Sequence, residues 1–101
     1  MAKGYWIARV DVSDPEAYKD YVRANAIAFA KFGGRFLVRG GSHRAAEGVA
    51  RARQVVIEFK DYATALACFD SEEYQQAKEL RTKASQSELV IVEGYDGPQP
   101  G

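Results

Sequence analysis

The chain has 101 residues, 47% of them hydrophobic and 28% charged, the make-up of one globular domain and not of a disordered chain. Fourteen Lys and Arg balance fourteen Asp and Glu for a formal net charge of zero, so no basic field draws it onto nucleic acid or an anionic membrane. A single cysteine, Cys68, and a single histidine, His43, exclude an intrachain disulfide framework and a metal site resting on those two alone.

Met1-Ala2-Lys3-Gly4-Tyr5 leads directly into a strand-like run, so neither a signal peptide nor a membrane span is expected and the cytoplasm is the default location. Tyr5 to Val12 is aromatic and β-branched with polar groups on one parity, and reads as the first strand. Ser13-Asp14-Pro15-Glu16 is a helix start: Asp14 caps, Pro15 suits the first helical position and Glu16 faces the positive end of the dipole. The helix runs to about Phe32, with Tyr18, Val22, Phe29 and Phe32 on one stripe, and Gly33-Gly34 stops it. Arg35 to Arg39 is the second strand. Gly40 to about Ala52 is a polar connection, and Gln54 to Phe59 is the third strand. Asp61 caps a short helix carrying Tyr62, Leu66 and Phe69. Asp70-Ser71-Glu72-Glu73 caps another, which runs to about Ala84. Glu88 to Glu93 is the last strand, and Asp96 to Gly101 is a flexible tail, which leaves residues 1–95 as the domain.

This order, βαββααβ, predicts an α+β ferredoxin-like sandwich: a four-stranded antiparallel sheet with the helices on one face. A weak internal repetition of strand, acidic cap and Tyr-bearing helix, Val10-Asp11 to Tyr18 and Ile57-Glu58 to Tyr62, agrees with two split halves. Strict alternation along the strands assigns Trp6, Ala8, Val10, Phe36, Val38, Val55, Ile57, Phe59, Val90 and Val92 to the face under the helices. The other face collects Tyr5, Ile7, Arg9, Arg35, Leu37, Arg39, Gln54, Val56, Glu58, Leu89, Ile91 and Glu93. Half of that second face is apolar, and an exposed patch on the order of several hundred Å² is rare on a soluble monomer. A chain of this size also gains from a partner, because it buries only about 60–70% of its unfolded surface. A second copy laid face to face, closing a barrel about a two-fold axis, is the expected cover.

Gly4-Tyr5-Trp6-Ile7, Asp14-Pro15-Glu16-Ala17-Tyr18, the run Phe32 to Gly41, Val56-Ile57-Glu58-Phe59 and Ser71-Glu72-Glu73-Tyr74 resemble the small bacterial proteins catalogued as domain of unknown function 1330. The resemblance runs from Gly4 to about Tyr95. It implies a dimeric α/β barrel with no established activity. The wider fold group holds cofactor-free monooxygenases, isomerases such as muconolactone isomerase, haem-binding enzymes and ligand-binding regulators, and fold alone does not select among them.

For chemistry, the mixed sheet face offers Glu58 as a general base and Arg39 as an anion clamp, with Arg9 and Arg35 as further carboxylate or enolate contacts. If the first and third strands are neighbours, Glu58 falls near Tyr5 and Arg35, and Arg9 near Gln54 and Arg39. The competing reading makes these charges an ion-pair network inside a dimer. Asn25 interrupts the apolar stripe of the first helix beside Tyr18, where its amide would hold a substrate oxygen or bond to backbone. Arg81 interrupts Tyr74, Ala77 and Ala84, and either meets an anion or extends its head to water. Tyr18, Tyr21, Tyr62 and Tyr74 are aromatic stripe residues that serve as core or pocket rim, Tyr18 being the one expected to touch substrate. His43 reads as an exposed loop histidine and Cys68 as an inert buried thiol. No phosphate-cradling loop, His-Glu-x-x-His or Cys-x-x-Cys is present. The functional expectation is a dimer binding a small carboxylate or aromatic molecule, with no cofactor and no metal, either by plain binding or as a cofactor-free enzyme of the monooxygenase or isomerase kind. The alternative is a structural or accessory homodimer without chemistry of its own.

Overall fold

Alternation and capping produce seven elements in the computed structural model, which describes residues 2–101; Met1, the first residue of the expected domain, lies outside the described residues. They are β1 (Gly4–Val12), α1 (Pro15–Phe32), β2 (Arg35–Arg39), β3 (Arg53–Phe59), α2 (Tyr62–Asp70), α3 (Glu72–Ala84) and β4 (Ser85–Glu93). The sheet is antiparallel in the order β2-β3-β1-β4, the ferredoxin-like arrangement. Each helix starts at the residue whose side chain stands in for the missing helical acceptor. Asp14 accepts from the Ala17 N–H at 3.1 Å, Asp61 from Thr64 at 2.7 Å and Ser71 from Tyr74 at 3.2 Å. Gly33 ends α1 at φ 71°, where its N–H returns to the Phe29 carbonyl.

Trp6 holds the layers together. Its indole N–H donates to the Ala65 carbonyl of α2 at 2.9 Å. Its ring meets Phe29 of α1 and Tyr74 of α3 edge-on, with centroids 5.2 and 4.7 Å away. Phe59, Cys68 and Tyr74 are fully buried around it, each large side chain contributing about 1.5–3 kcal/mol. Gly4 allows the start of α2 to pass close over β1, since a Cβ there would collide with the Asp61 carbonyl.

Two strands present faces other than those expected. In β4, Ile91 and Leu89 lie opposite Trp6 and Ala8 and pack under the helices, while Val90 and Val92 lie opposite Ile7 and Tyr5 on the open face. Leu89 to Val92 is apolar throughout, so its own sequence carries no alternation, and pairing with β1 decides the face. In β2 the register shifts between Phe36 and Val38. One extra residue, Leu37, reverses every side chain beyond it. Val38 therefore pairs with Val56 on the open face, and Arg39 pairs with Val55 on the helix side. β3 also starts one residue earlier than expected, at Arg53, and β4 three earlier, at Ser85.

The β2–β3 connection is tied down at its base. Arg51 donates from Nη1 to Asp11 at 2.8 Å and from Nε to Glu88 at 3.0 Å, and the Ala52 N–H donates to Asp11 at 2.8 Å. No helix among the described residues is long and apolar enough to cross a membrane.

Candidate functional site

Between α1, α3 and the helix side of the sheet lies a cavity of about 40 Å³, counted by where the centre of a water molecule can sit. That is room for roughly three water-sized groups. Aromatic and aliphatic side chains such as Trp6, Phe29 and Ile57 form most of its wall, and Arg39, Arg53, Arg81, Asn25, Tyr18 and Tyr21 give it polar groups.

The fold delivers each of these for a local reason. Tyr18, Tyr21 and Asn25 fall three and four residues apart on α1 and so share one face. Arg81 follows Tyr74 by seven residues, two turns along the inner face of α3, and is only 9% exposed. Arg53 opens β3 opposite Val10, a core position of β1. The bulge brings Arg39 to the same side, its guanidinium 4.1 Å from the Phe36 ring centroid. Gly40 is needed beside them: at φ 70°, a Cβ there would stand 2.5 Å from Nη1 of Arg53.

The cavity wall is cationic. It contains three guanidinium groups and no carboxylate, and the ion pairs among the described residues use none of the three arginines. Arg81 donates from Nη1 to the Tyr74 hydroxyl at 2.7 Å, while Nε of Arg53 and of Arg81 is buried with no hydrogen-bond partner in the protein. The Tyr74 and Tyr21 hydroxyls are 2.9 Å apart. A guanidinium only donates, so the Tyr74 oxygen accepts from Arg81, and the Tyr74 proton, fully buried, goes to the Tyr21 oxygen. The Tyr21 proton is thereby left to donate into the cavity. Burial, then the neighbouring Tyr21, push the Tyr74 pKa far above that of a free phenol. Burial also raises Tyr18, against the opposing pull of Arg53 and Arg81. These phenols are neutral donors near pH 7.

Of the residues singled out in the sequence, Arg39, Asn25, Tyr18 and Arg81 meet at this cavity. Glu58, Arg35 and Arg9 stand on the open face instead: Glu58 lies opposite Tyr5 and Arg35, and Arg9 opposite Gln54, as expected. Arg39 does not join them, because the bulge turns it through the sheet. Glu58 accepts from the Tyr5 hydroxyl at 3.2 Å, and partial desolvation followed by this carboxylate raises the Tyr5 pKa. His43 is exposed in the connection, and burial pushes the Cys68 thiol up to about 12. Arg53 was missed by sequence reasoning; placing it one step further along the alternation of Val55, Ile57 and Phe59 would have found it. Among the described residues no group of three or more His, Cys, Asp or Glu is placed to hold a metal.

These features define a ferredoxin-like α+β protein with a cationic cavity between its layers. The chain belongs to the family described as Domain of unknown function (DUF1330), whose model matches residues 3–95. A protein of unknown function from Rhodopseudomonas palustris shares the fold at TM-score 0.73 and 17% identity, over 95% of this chain and 85% of that one. SnoaB, a cofactor-independent oxygenase from Streptomyces nogalater, is similar at TM-score 0.63 and 14% identity, over 99% and 97%. An ethyl tert-butyl ether d (ethd) family protein from Bacillus halodurans aligns at TM-score 0.54 and 14% identity, over 94% and 100%. A search of curated proteins finds no significant match. At these identities the likeness is one of fold.

Proposed function

We propose that the cavity binds the carboxylate or enolate end of a small organic acid, its body aromatic or apolar, and that the protein is a cofactor-free enzyme of the oxygenase or isomerase kind. The observation that carries this reading is the set of three arginines with no carboxylate among them, two with buried, unpartnered Nε–H groups. A buried donor without an acceptor is costly, and an anion's oxygens supply acceptors and countercharge together. Arg53 and Arg81 hold the negative oxygen, Arg39 stands on the Phe36 ring beside them, and Asn25, Tyr18 and Tyr21 offer neutral hydrogen bonds. No carboxylate in the cavity removes a proton, so the ligand is itself acidic and its enolate is stabilised by the guanidinium charges. An electron-rich enolate gives its electrons to dioxygen, which is then both oxidant and oxygen source, without a metal, in keeping with the activity named for SnoaB.

The open face, with Ile7, Val38, Val90 and Val92 all exposed, is covered in this reading by a second copy of the chain. Arg9, Arg35 and Glu58 then belong to that self-contact and not to the cavity. The test of the binding site is thermal unfolding with benzoate and, as the uncharged control, benzamide. Benzoate is expected to raise the melting temperature and benzamide not, with the rise lost in Arg53→Gln. Equal effects of the two compounds, or an undiminished rise in the variant, would overturn the assignment.

A further inference from the structure

We infer that the cavity prefers a ligand carrying two negative groups a short distance apart, such as a small dicarboxylate, over a simple monoanion. This rests on the anion site proposed above and specifies its ligand class. Arg39 and Arg53 come from neighbouring strands on the same side of the sheet: Arg39 pairs with Val55, two residues from Arg53, so the two are diagonal neighbours within reach of one another. Arg81 faces them from α3 across the cavity. Like charges gathered around one largely apolar cavity repel and are disfavoured by burial. The wall supplies no countercharge, so one ligand carboxylate leaves the charge only partly balanced.

The three arginines also differ in setting, which divides the site into two seats. Arg81 is buried, and Arg53 and Arg81 each keep an unpartnered Nε–H; they form an inner seat. Arg39 is exposed, with its guanidinium carbon 4.1 Å from the Phe36 ring centroid; it forms an outer seat. A cavity of about 40 Å³ accepts one carboxylate and the carbon joining it to the second.

Calorimetric titration with malonate and with malonamate, at neutral pH and constant ionic strength, isolates the charge, because the two compounds have nearly the same shape. Malonate is expected to bind about ten-fold or more tightly, as one further charge-assisted pair allows. Arg39→Gln, an exposed change that leaves the core intact, is expected to reduce that ratio to within about two-fold, mainly by weakening malonate. Equal affinities in the unaltered protein, or a ratio unchanged in Arg39→Gln, would overturn the inference. If neither malonate nor malonamate binds while benzoate still stabilises the protein, the two-seat inference fails alone. If benzoate fails as well, the anion site fails with it.

Discussion

At the scale of single residues, the cavity depends on polar groups placed where helix periodicity asks for apolar ones. Arg81 and Asn25 were readable because each breaks an otherwise apolar stripe. Tyr74 and Tyr21 looked like core, and they are core; only their hydroxyl pair shows that they also fix Arg81 and aim a proton. Tyr74→Phe takes away the acceptor of a buried guanidinium N–H and is expected to destabilise the protein by about 1–3 kcal/mol in urea denaturation. A change within experimental error would mean that Arg81 finds another acceptor. Cys68, buried and with its thiol pushed up to about 12, is expected to resist alkylation at pH 8 until the protein is unfolded. Rapid labelling of the native protein would contradict this placement. Arg53 escaped notice because it adjoins Arg51-Ala52 at the end of a polar connection, where one more arginine looks like solvated charge.

The elements themselves were readable from caps and periodicity: helix starts at Asp14, Asp61 and Ser71 declare themselves by residue type. Faces were less so, and for two separate reasons. An unbroken apolar run, Leu89 to Val92, has no parity of its own, and the bulge at Leu37 has no glycine or proline to announce it. The bulge matters most for function, since it carries Arg39 from one side of the sheet to the other. Deleting Leu37 removes the extra residue and leaves Val38 opposite Val56 and Arg39 opposite Val55, so malonate affinity is expected to stay within about two-fold, with the circular dichroism spectrum retained. A loss of about ten-fold or more in that folded variant would show that the extra residue itself, and not the pairing with Val55, places Arg39 at the cavity. At the base of the β2–β3 connection, the Ala52 N–H and then Arg51 hold the Asp11 carboxyl below the usual carboxylate range. A carboxylate whose folded pKa is lowered stabilises the fold above its unfolded pKa of about 3.9, and that contribution disappears as pH falls through the folded value. Asp11→Asn is therefore expected to lower the melting temperature at neutral pH and to flatten its decline below about pH 4. A parallel decline in both proteins would show that the Asp11 contact contributes nothing to acid sensitivity.

For the whole molecule, element order was enough to give the ferredoxin-like sandwich, because βαββααβ leaves few right-handed ways to build one sheet. The half-apolar outer face was also readable, although Val38, Val90 and Val92 join it and Arg39, Leu89, Ile91 and Glu93 leave it. In the proposed self-association that face is buried, and Val90→Lys is expected to convert a dimer to a monomer in sedimentation velocity with little change in the helical spectrum. A monomer in the unaltered protein at micromolar concentration would remove the proposed dimer. The cavity, by contrast, was only half visible from sequence, since it draws residues from β2, β3, α1 and α3 that meet only after the strand faces are assigned. Its central feature is the pair of unpartnered guanidinium Nε–H groups, and these can be observed individually. In ¹H–¹⁵N spectra of arginine side chains, titration with benzoate is expected to move the Arg53 and Arg81 Nε–H resonances together and to saturation, leaving those of Arg23 and Arg44 in place. Shifts confined to such surface arginines, or no shift at Arg53 and Arg81, would contradict the assignment of this cavity as an anion site.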